Sequence, residues 1–363
     1  MDWDKIREQF PVLGRGVYAN TAATGLLSDG LLEWRQEHDL DFLIGGSEMI
    51  KNTYKLLSET RHNLALFFNA ENDNIALVPS FSIGLNLLLE GLSEQERVLM
   101  IKGDYPSLVW PFENRDFNIQ YVDMSSKLEE VLYNTIETKK ITVLALSMVQ
   151  WLNGITMAPK FLQQLKNDFK DLLILADGTQ FCGMQDFDFN SSGVDVLGAS
   201  GYKWLLSGYG NGFFLFKEEV KNRFSLKSKG YGSGRNAPEL DHRRTFCKHL
   251  EPGHLSSLNF GSLNFSLKYL NAIGKSKISE QNEILSKHAM NAFYNLGMLD
   301  EDIDPFGLHS TIFKIKSQNG IFDILTSKNI VCAQRGGGIR LSFHFYNTIE
   351  EIEFIENTLK KAR

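Results

Sequence analysis

The chain has 363 residues, of which 43% are hydrophobic and 23% are charged, and its formal net charge is −6. This length exceeds the size at which a single hydrophobic core stops growing, so we expect two domains. The acidic balance disfavours a nucleic-acid partner. We expect no signal peptide and no membrane helix, because no apolar window is long enough for either. Three cysteines argue against a disulfide framework and favour a cytoplasmic protein.

Strand-like and helix-like segments alternate along most of the chain. Apolar runs predict strands at residues 74–79, 97–101, 118–122, 141–147, 172–176, 194–199 and 212–216. This alternation predicts an α/β domain with a mostly parallel sheet and helices on both faces. A helical stretch at 261–272, the run 280–296, a strand near 309–315 and a final helix at 349–362 predict a smaller α+β domain. We assign residues 16–260 to the large domain, and residues 1–15 and 261–363 to the small one.

An amine and a carboxylate each follow a predicted strand. Asp177 opens an acidic turn after residues 172–176, and Lys203 follows the run 194–199. Ligands of an open α/β sheet bind at the carboxyl ends of its strands. A lysine amine that loses its proton forms Schiff bases with carbonyls, and a carboxylate facing a pyridine nitrogen keeps that nitrogen protonated. Each residue alone is more often a turn former or a solvated lysine, but together they predict a pyridoxal 5'-phosphate site.

A predicted phosphate site lies between a strand and a helix. Residues 74–79 predict the strand, Ser80-Phe81-Ser82 forms a hydroxyl-bearing turn, and residues 83–89 predict the helix. The free N–H groups and the positive dipole end of this helix favour an anion. Either serine alone is more often a simple N-cap, and capping is compatible with anion binding.

These residues resemble the class V branch of the fold type I pyridoxal-phosphate enzymes, which includes cysteine desulfurases, kynureninases and several aminotransferases. The resemblance runs from residues 18–23 through the phosphate turn, Asp177, Gln180 and Lys203 to residues 340–348. It therefore covers nearly the whole chain. It implies a fold type I PLP-dependent transferase that works as a homodimer, with its cofactor bound by the large domain.

The resemblance also implies roles for single residues. Lys203 binds the cofactor covalently and moves protons at the substrate Cα, and Asp177 pairs with the pyridinium nitrogen. Gln180 contacts the phenolic oxygen of the cofactor. Tyr105 lies where the family places a ring stacked on the cofactor face, and the alternative for Tyr105 is an ordinary buried tyrosine.

We expect further residues at the cofactor phosphate. They are Ser80, Phe81 and Ser82 of the turn, together with Ser200 and Tyr202, which the resemblance adds. His254 takes the position from which the neighbouring subunit touches the phosphate in this family. Threonine is common at that position in the desulfurases, so a histidine there is a departure.

Arg340 matches the arginine with which family members hold the substrate carboxylate. A guanidinium forms two parallel hydrogen bonds to a carboxylate. The alternative is a surface arginine on a C-terminal strand. Arg335 is a candidate second anion contact. The family often has an asparagine or glutamine at the cofactor oxygen after a strand such as 141–147, and Gln150, Trp151 and Asn153 all remain candidates for that role.

The cysteines bear on the class of reaction. Cysteine desulfurases need a nucleophilic cysteine on a loop before the carboxylate-binding arginine, and here residues 335–339 contain none. Cys332 lies in an apolar run and favours a buried strand residue. Cys182 follows the acidic turn too closely to be that loop residue, and Cys247 is distant in sequence. Desulfuration is therefore disfavoured.

Two classes of function remain after these observations. The preferred one is a pyridoxal-phosphate aminotransferase that acts on an amino acid or amino-bearing small molecule, with an oxo acid as acceptor. Alternatives within this class are a desulfurase, a lyase or an epimerase. The other class is a cofactor-binding homologue without turnover, against which the intact Lys203, Asp177, Gln180 and Arg340 argue. We identify no metal-binding pattern.

Overall fold

The computed structural model describes residues 1–234, 246–300, 303–304, 307–317 and 320–362. Its strands are β1 (Val17–Tyr18), β2 (Ile75–Val78), β3 (Arg97–Ile101), β4 (Asn118–Val122), β5 (Val143–Ser147), β6 (Leu173–Asp177), β7 (Val196–Ser200), β8 (Gly212–Phe216), β9 (Ile312–Lys316), β10 (Ile330–Val331), β11 (Ala333–Arg335) and β12 (Gly338–Ser342). Its helices are α1 (Trp3–Arg7), α2 (Asp29–Gly45), α3 (Met49–Phe68), α4 (Phe81–Leu89), α5 (Pro106–Glu113), α6 (Leu128–Lys139), α7 (Pro159–Asp168), α8 (Tyr231–Gly234), α9 (Ser257–Ile273), α10 (Lys275–Asn295), α11 (Ile321–Ser327) and α12 (Ile349–Lys361). Among the described residues, no helix combines the length and apolar composition needed to cross a membrane.

The central sheet carries its strands in the order β2, β8, β7, β6, β5, β3, β4. All neighbouring strands are parallel except β8, which runs antiparallel to both β2 and β7. Each of the seven predicted strands is present within two residues of its predicted ends. The prediction of an α/β fold with a mostly parallel sheet is therefore confirmed.

The sheet is covered on both faces because successive side chains of each strand point to opposite sides. Leu144 and Leu146 of β5 belong to one core, which also contains Leu263 of α9. Val143 and Ala145 of the same strand belong to the other core, beneath α4 and α5. These strands read as continuous apolar runs in the sequence because neither of their faces meets solvent.

A smaller antiparallel sheet, in the order β11, β12, β9, forms a third core with α10, α11 and α12. The predicted strand near 309–315 is β9, and the final helix is α12. The N-terminal segment contacts α12 through a 2.8 Å ion pair between Arg7 and Glu351, whereas the Phe10 ring packs on Tyr346 in the first core. Helix α9 packs instead on α2 and α3. The predicted domain boundary at residue 260 falls inside α9, and the division into domains stays a prediction.

Helix starts follow capping signals in the sequence. The side chains of Ser28, Ser80 and Ser256 each accept a hydrogen bond from a backbone N–H in the first turn of α2, α4 and α9. Thr348 and Glu351 form a capping box at α12. Each cap satisfies backbone groups that have no partner within the helix, so these polar residues fix where the helices begin.

Gly261 lets α9 approach the α2–α3 pair closely. A Cβ atom at this position would lie 2.1 Å from Cη2 of Trp34 and 2.8 Å from Cδ2 of Leu56. Gly261→Ala should lower the free energy of unfolding by about 1–3 kcal/mol, because overpacking outweighs the gain in helix propensity. Urea unfolding measures the change. Gly14→Ala is the control, since nothing lies within 4 Å of its Cβ position, and equal stability of the two variants would contradict this account of the packing.

Candidate active site

The ends of β6 and β7 bring a carboxylate and an amine together. Asp177 ends β6 and pairs in register with Gly198 of β7, and Lys203 follows β7 by three residues. Asp177 and Lys203 are each only 4% exposed. The two parallel strands therefore place both side chains in one buried crevice at the carboxyl edge of the sheet, where α/β folds bind ligands.

Burial changes the protonation of both groups. It lowers the pKa of Lys203 to about 7, with Asp177 opposing this shift and the Arg340 guanidinium adding to it. It raises the pKa of Asp177 to about 6, although the hydrogen bonds from Thr179 and the charge of Lys203 pull the pKa down. Near neutral pH a sizeable fraction of the Lys203 amine is therefore unprotonated, which is the form that attacks a carbonyl.

Aromatic rings lie over the Lys203 amine. Its Nζ is 5.2 Å from the ring centroid of Tyr105 and 5.5 Å from that of Tyr202. The Tyr105 ring also meets Trp151 edge to face at 5.5 Å. The crevice between Tyr105, Trp151 and Asp177 encloses only about 10 Å³, which is room for about one water molecule. An aromatic ligand that stacks here must therefore displace the Tyr105 ring or the Lys203 side chain.

A buried carboxylate binds the backbone of Tyr105. Asp104 accepts hydrogen bonds from the Tyr105 backbone N–H at 2.7 Å, from Ser147 N–H at 2.8 Å and from the Ser147 hydroxyl at 2.6 Å. Burial raises the pKa of Asp104, and these bonds oppose the rise. Sequence reasoning missed Asp104 and Ser147. The only signal was their position, since each lies at the carboxyl end of a predicted strand or just beyond it.

Gln180 is held by two hydrogen bonds. Its Nε2 donates to the carbonyl of Ala22 at 3.0 Å, and its Oε1 accepts from the Trp204 indole N–H at 2.7 Å. One amide N–H is left for a further acceptor at the crevice, which Gln180 lines. Thr179, which sequence reasoning missed, donates its backbone N–H to Asp177 at 2.8 Å and accepts from Ser200 N–H.

The predicted phosphate turn lies beside the end of β7. Ser80 caps α4, so its hydroxyl is engaged with Ile83 N–H, and Ser82 is half-buried in the first turn. The Phe81 N–H donates to the Ser200 hydroxyl at 2.9 Å. The Phe81 ring turns away into the core and stacks on Phe214. The helix N-terminus and Ser200 thus come together, and any contribution of Phe81 to this site is through its backbone.

The two remaining predicted cofactor residues lie apart from each other. Tyr202 lies at the crevice, and its ring stacks on Tyr209 with centroids 4.5 Å apart. His254 is exposed, stacks on Tyr231 and lines a separate cavity of about 750 Å³ together with Arg61. Within the described part of a single chain, His254 is therefore not brought to the Lys203 crevice.

Arg340 points from β12 to the mouth of the crevice. It is 3% exposed, and its Nη1 donates to the carbonyl of Trp151 at 2.9 Å. Its buried Nε has no hydrogen-bond partner among the described residues. Burial lowers the pKa of Arg340 to about 10, and the charge of Arg335 contributes. Arg335 is exposed on β11, and the register of Ala333 opposite Arg340 places both arginines on one face of the hairpin.

Trp151 is the residue of the 150–153 turn that reaches the crevice. The Gln150 side chain is turned elsewhere, because its Oε1 accepts from the N–H groups of Leu152 and Asn153. The Asn153 side chain accepts from Ile155 N–H. The turn therefore presents an indole to the crevice, where the family often has a side-chain amide.

All three cysteines of the chain are buried. Burial raises the pKa of Cys332 to about 11 and that of Cys247 to about 12, and it raises the pKa of Cys182 as well. Cys332 packs in the core of the small sheet. At neutral pH none of these thiols is ionised, so none is an exposed, reactive nucleophile.

Comparisons with known proteins agree on the family. The family model described as aminotransferase class-V matches residues 42–355. A probable cysteine desulfurase of Methanothermobacter thermautotrophicus is 23% identical over 99% of this chain and 98% of that protein. The uncharacterized aminotransferase YcbU of Bacillus subtilis is 23% identical over 96% of this chain and 95% of its own length. A solved variant of C-DES, with glycine covalently linked to its PLP cofactor, superimposes with a TM-score of 0.87 at 18% identity, covering 97% of this chain and 98% of its own.

The chain belongs to the class V aminotransferase family. It is a pyridoxal 5'-phosphate enzyme that acts on an amino acid or amino-bearing substrate. The residues of the crevice fit this cofactor. Lys203 offers a buried amine with a lowered pKa, and Asp177 offers a buried carboxylate to a cationic ring nitrogen. The Nε of Arg340 has no acceptor among the described residues and can bind an anion.

The lowered pKa of Lys203 predicts how the apoenzyme takes up its cofactor. Because only the unprotonated amine reacts, covalent uptake of pyridoxal phosphate should rise with pH and level off above a midpoint of about 7. An ordinary lysine would have its midpoint near 10.5. Borohydride trapping at each pH, with mass spectrometry of the labelled peptide, measures this uptake. Lys203→Ala should lose the adduct, and a midpoint near 10 in the native chain would overturn the assignment.

Proposed function

We propose that the enzyme is an aminotransferase for a carboxylate-bearing amino substrate, with an oxo acid as acceptor. The observation that carries the proposal is Arg340, a buried guanidinium beside Lys203 with an orphaned Nε. A buried charged donor without an acceptor is costly, and a substrate carboxylate supplies that acceptor. Arg335, on the same face of the hairpin, is our proposed second contact for the same anion.

We assign the cofactor contacts to the residues of the crevice. Lys203 would hold the cofactor covalently, Asp177 would pair with its ring nitrogen and Tyr105 would stack on its ring. Ser80, the Phe81 N–H, Ser82, Ser200 and Tyr202 would bind its phosphate, and Gln180 would donate its remaining amide N–H to its phenolic oxygen. When bound, the cofactor supplies the electron sink for chemistry at the substrate Cα.

The side chains of this chain then supply orientation and proton transfer. Arg340 fixes the carboxylate, so that the Cα–H bond of the substrate is presented in one orientation. Once the substrate amine has displaced it, the free amine of Lys203 would accept and return the Cα proton, and its lowered pKa suits both directions at neutral pH. Asp177 keeps a negative charge opposite the ring nitrogen, because a bound cation lowers the pKa of a carboxylate.

A desulfurase or lyase is the second candidate, because relatives such as the Methanothermobacter protein are described as probable cysteine desulfurases. Two observations speak against it. The hairpin between β11 and β12 carries glycines where a thiol would be needed, and the thiol of Cys332 is buried with a pKa raised to about 11. Sulfur transfer needs an accessible thiolate, so transamination is the better proposal.

We also propose a homodimer whose interface includes α2 and the start of α3. The side chains of Leu43 and Ile44 there are 80% and 85% exposed. Further exposed apolar side chains on this face are Leu40, Ile50 and Tyr54. Contiguous exposed apolar surface of this kind is covered in stable assemblies. The neighbouring cavity contains His254, which in our proposal contacts the cofactor phosphate of the second copy.

Transamination has a half-reaction that can be isolated. Purified enzyme given a carboxylate-bearing amino acid without an acceptor should yield one pyridoxamine phosphate per site, recovered after denaturation. Adding an oxo acid should reverse the conversion. Release of alanine and persulfide from cysteine, lost on replacing Cys332 or Cys182, would instead return the chain to the desulfurases.

The arginine variants are tested in the same half-reaction, where the amino acid concentration needed for conversion measures substrate binding. Arg340→Gln should weaken substrate binding by about 2–5 kcal/mol, because it removes one partner of a buried charge pair. Arg335→Gln is the matched control and should cost less, since Arg335 is exposed. A larger loss in the Arg335 variant would show that the carboxylate lies elsewhere.

Subunit complementation tests the dimer. Lys203→Ala and His254→Ala chains should each be impaired alone. After subunit exchange, the mixed dimer should regain one native site, built from Lys203 of one chain and His254 of the other. Sedimentation at the assay concentration should show a dimer. An active monomer, or mixtures without recovered activity, would contradict the shared site.

A further inference from the structure

A buried histidine links the strand of Arg340 to the segment of Lys203. His344 lies four residues beyond Arg340 and is fully buried. Its Nε2 is 3.1 Å from the carbonyl oxygen of Trp204, the residue after Lys203. Its Nδ1 is 3.3 Å from Nδ2 of Asn282 on α10. One imidazole therefore connects three elements: β12 through the segment that follows it, α10, and the turn that carries Lys203.

The partners of His344 fix its tautomer. A carbonyl only accepts, so Nε2 carries the proton that it donates to Trp204. Nδ2 of Asn282 donates to the carbonyl of Met184 at 2.8 Å, which identifies it as the amide nitrogen, and its second N–H points to Nδ1 of His344. Burial lowers the pKa of His344 to about 3. The ring is thus neutral, with a donor on one side and an acceptor on the other.

The segment that His344 holds is under backbone strain. Leu206 has a φ of 57°, in the left-handed region that leucine rarely adopts, and its N–H donates to the Lys203 carbonyl at 3.1 Å. Such a conformation persists only where surrounding contacts determine it. Two side chains fix Trp204 within this turn, His344 at its carbonyl and Gln180 at its indole N–H.

We propose that His344 is a positioning residue, which holds the Trp204 carbonyl and thereby keeps the Lys203 amine inside the crevice. The proposal rests on Lys203 as the cofactor lysine but not on transamination. Without this bond, the strained turn can relax and let water reach the amine. A substitution of His344 leaves the groups that face Lys203 in place, namely Asp177, Arg340 and the rings of Tyr105 and Tyr202. A change in the pKa of the Lys203 amine would therefore come from a change in the conformation of its turn.

The test is the pH dependence of cofactor uptake by the apoenzyme, followed as borohydride-trapped mass on Lys203. His344→Phe keeps a ring but loses both hydrogen bonds. Its uptake midpoint should rise by about one pH unit, so that uptake at pH 6 falls about tenfold. His344→Gln, whose amide can donate to the Trp204 carbonyl, should recover most of the native midpoint. The affinity of the apoenzyme for the cofactor should follow the same order.

Phe343→Leu is the control for a change of packing in the same buried segment, because Phe343 is fully buried but packs on Phe313, away from Trp204. It should lower the melting temperature and leave the uptake midpoint unchanged. A folded His344→Phe with native midpoint and affinity would overturn the proposal.

Two other results of these experiments also have a definite meaning. If His344→Phe does not fold, His344→Met replaces it, since a thioether likewise has no hydrogen-bond donor for the Trp204 carbonyl. Slower uptake with a raised midpoint supports the proposal, and native behaviour contradicts it. If the native chain itself takes up no cofactor on Lys203, the assignment of the lysine fails, whatever the role of His344.

Discussion

The site depends on the burial of an amine next to a carboxylate at the ends of two parallel strands. Asp177 and Lys203 are almost inaccessible, and burial brings their pKa values to about 6 and about 7. Isolated charges at such depth are costly, so both pKa values move toward neutrality, and at neutral pH Asp177 is still mostly ionised while a sizeable fraction of Lys203 is neutral. The packing of the sheet compensates for this cost, because every residue of β6 and β7 is buried.

Short hydrogen-bonded links keep the strand ends in register. Thr179 bonds to both Asp177 and the backbone of Ser200, and the Ser200 hydroxyl accepts from Phe81 N–H at the start of α4. The ends of β6 and β7 and the N-terminus of α4 are thus joined by three bonds. These bonds tie the segments that line the crevice to the strand ends, and such support is what holds reacting groups in place.

The sequence predicted most of the sheet because its strands are buried on both faces and appear as uninterrupted apolar runs. Asp177 and Lys203 were predictable because strand ends can be located from those runs. Their neighbours were not, since Asp104 approaches Asp177, and His344 approaches the Trp204 carbonyl, through tertiary contacts. The choice among Gln150, Trp151 and Asn153 likewise depended on which side chain bonds its own turn. Local sequence carries no signal for such choices.

Family membership defines the cofactor more closely than it defines the reaction. Relatives described as aminotransferases and as probable cysteine desulfurases match this chain over similar lengths. The residues beneath the cofactor determine its electronic state, whereas the reaction depends on what faces the substrate. In our proposal those groups are Arg340 and Trp151, and the thiol nearest to Arg340 in sequence, Cys332, is protonated in a core. A carboxylate clamp at Arg340 would orient a Cα–H bond, and all three thiols of the chain are buried, so these side chains support our proposal of amino-group transfer.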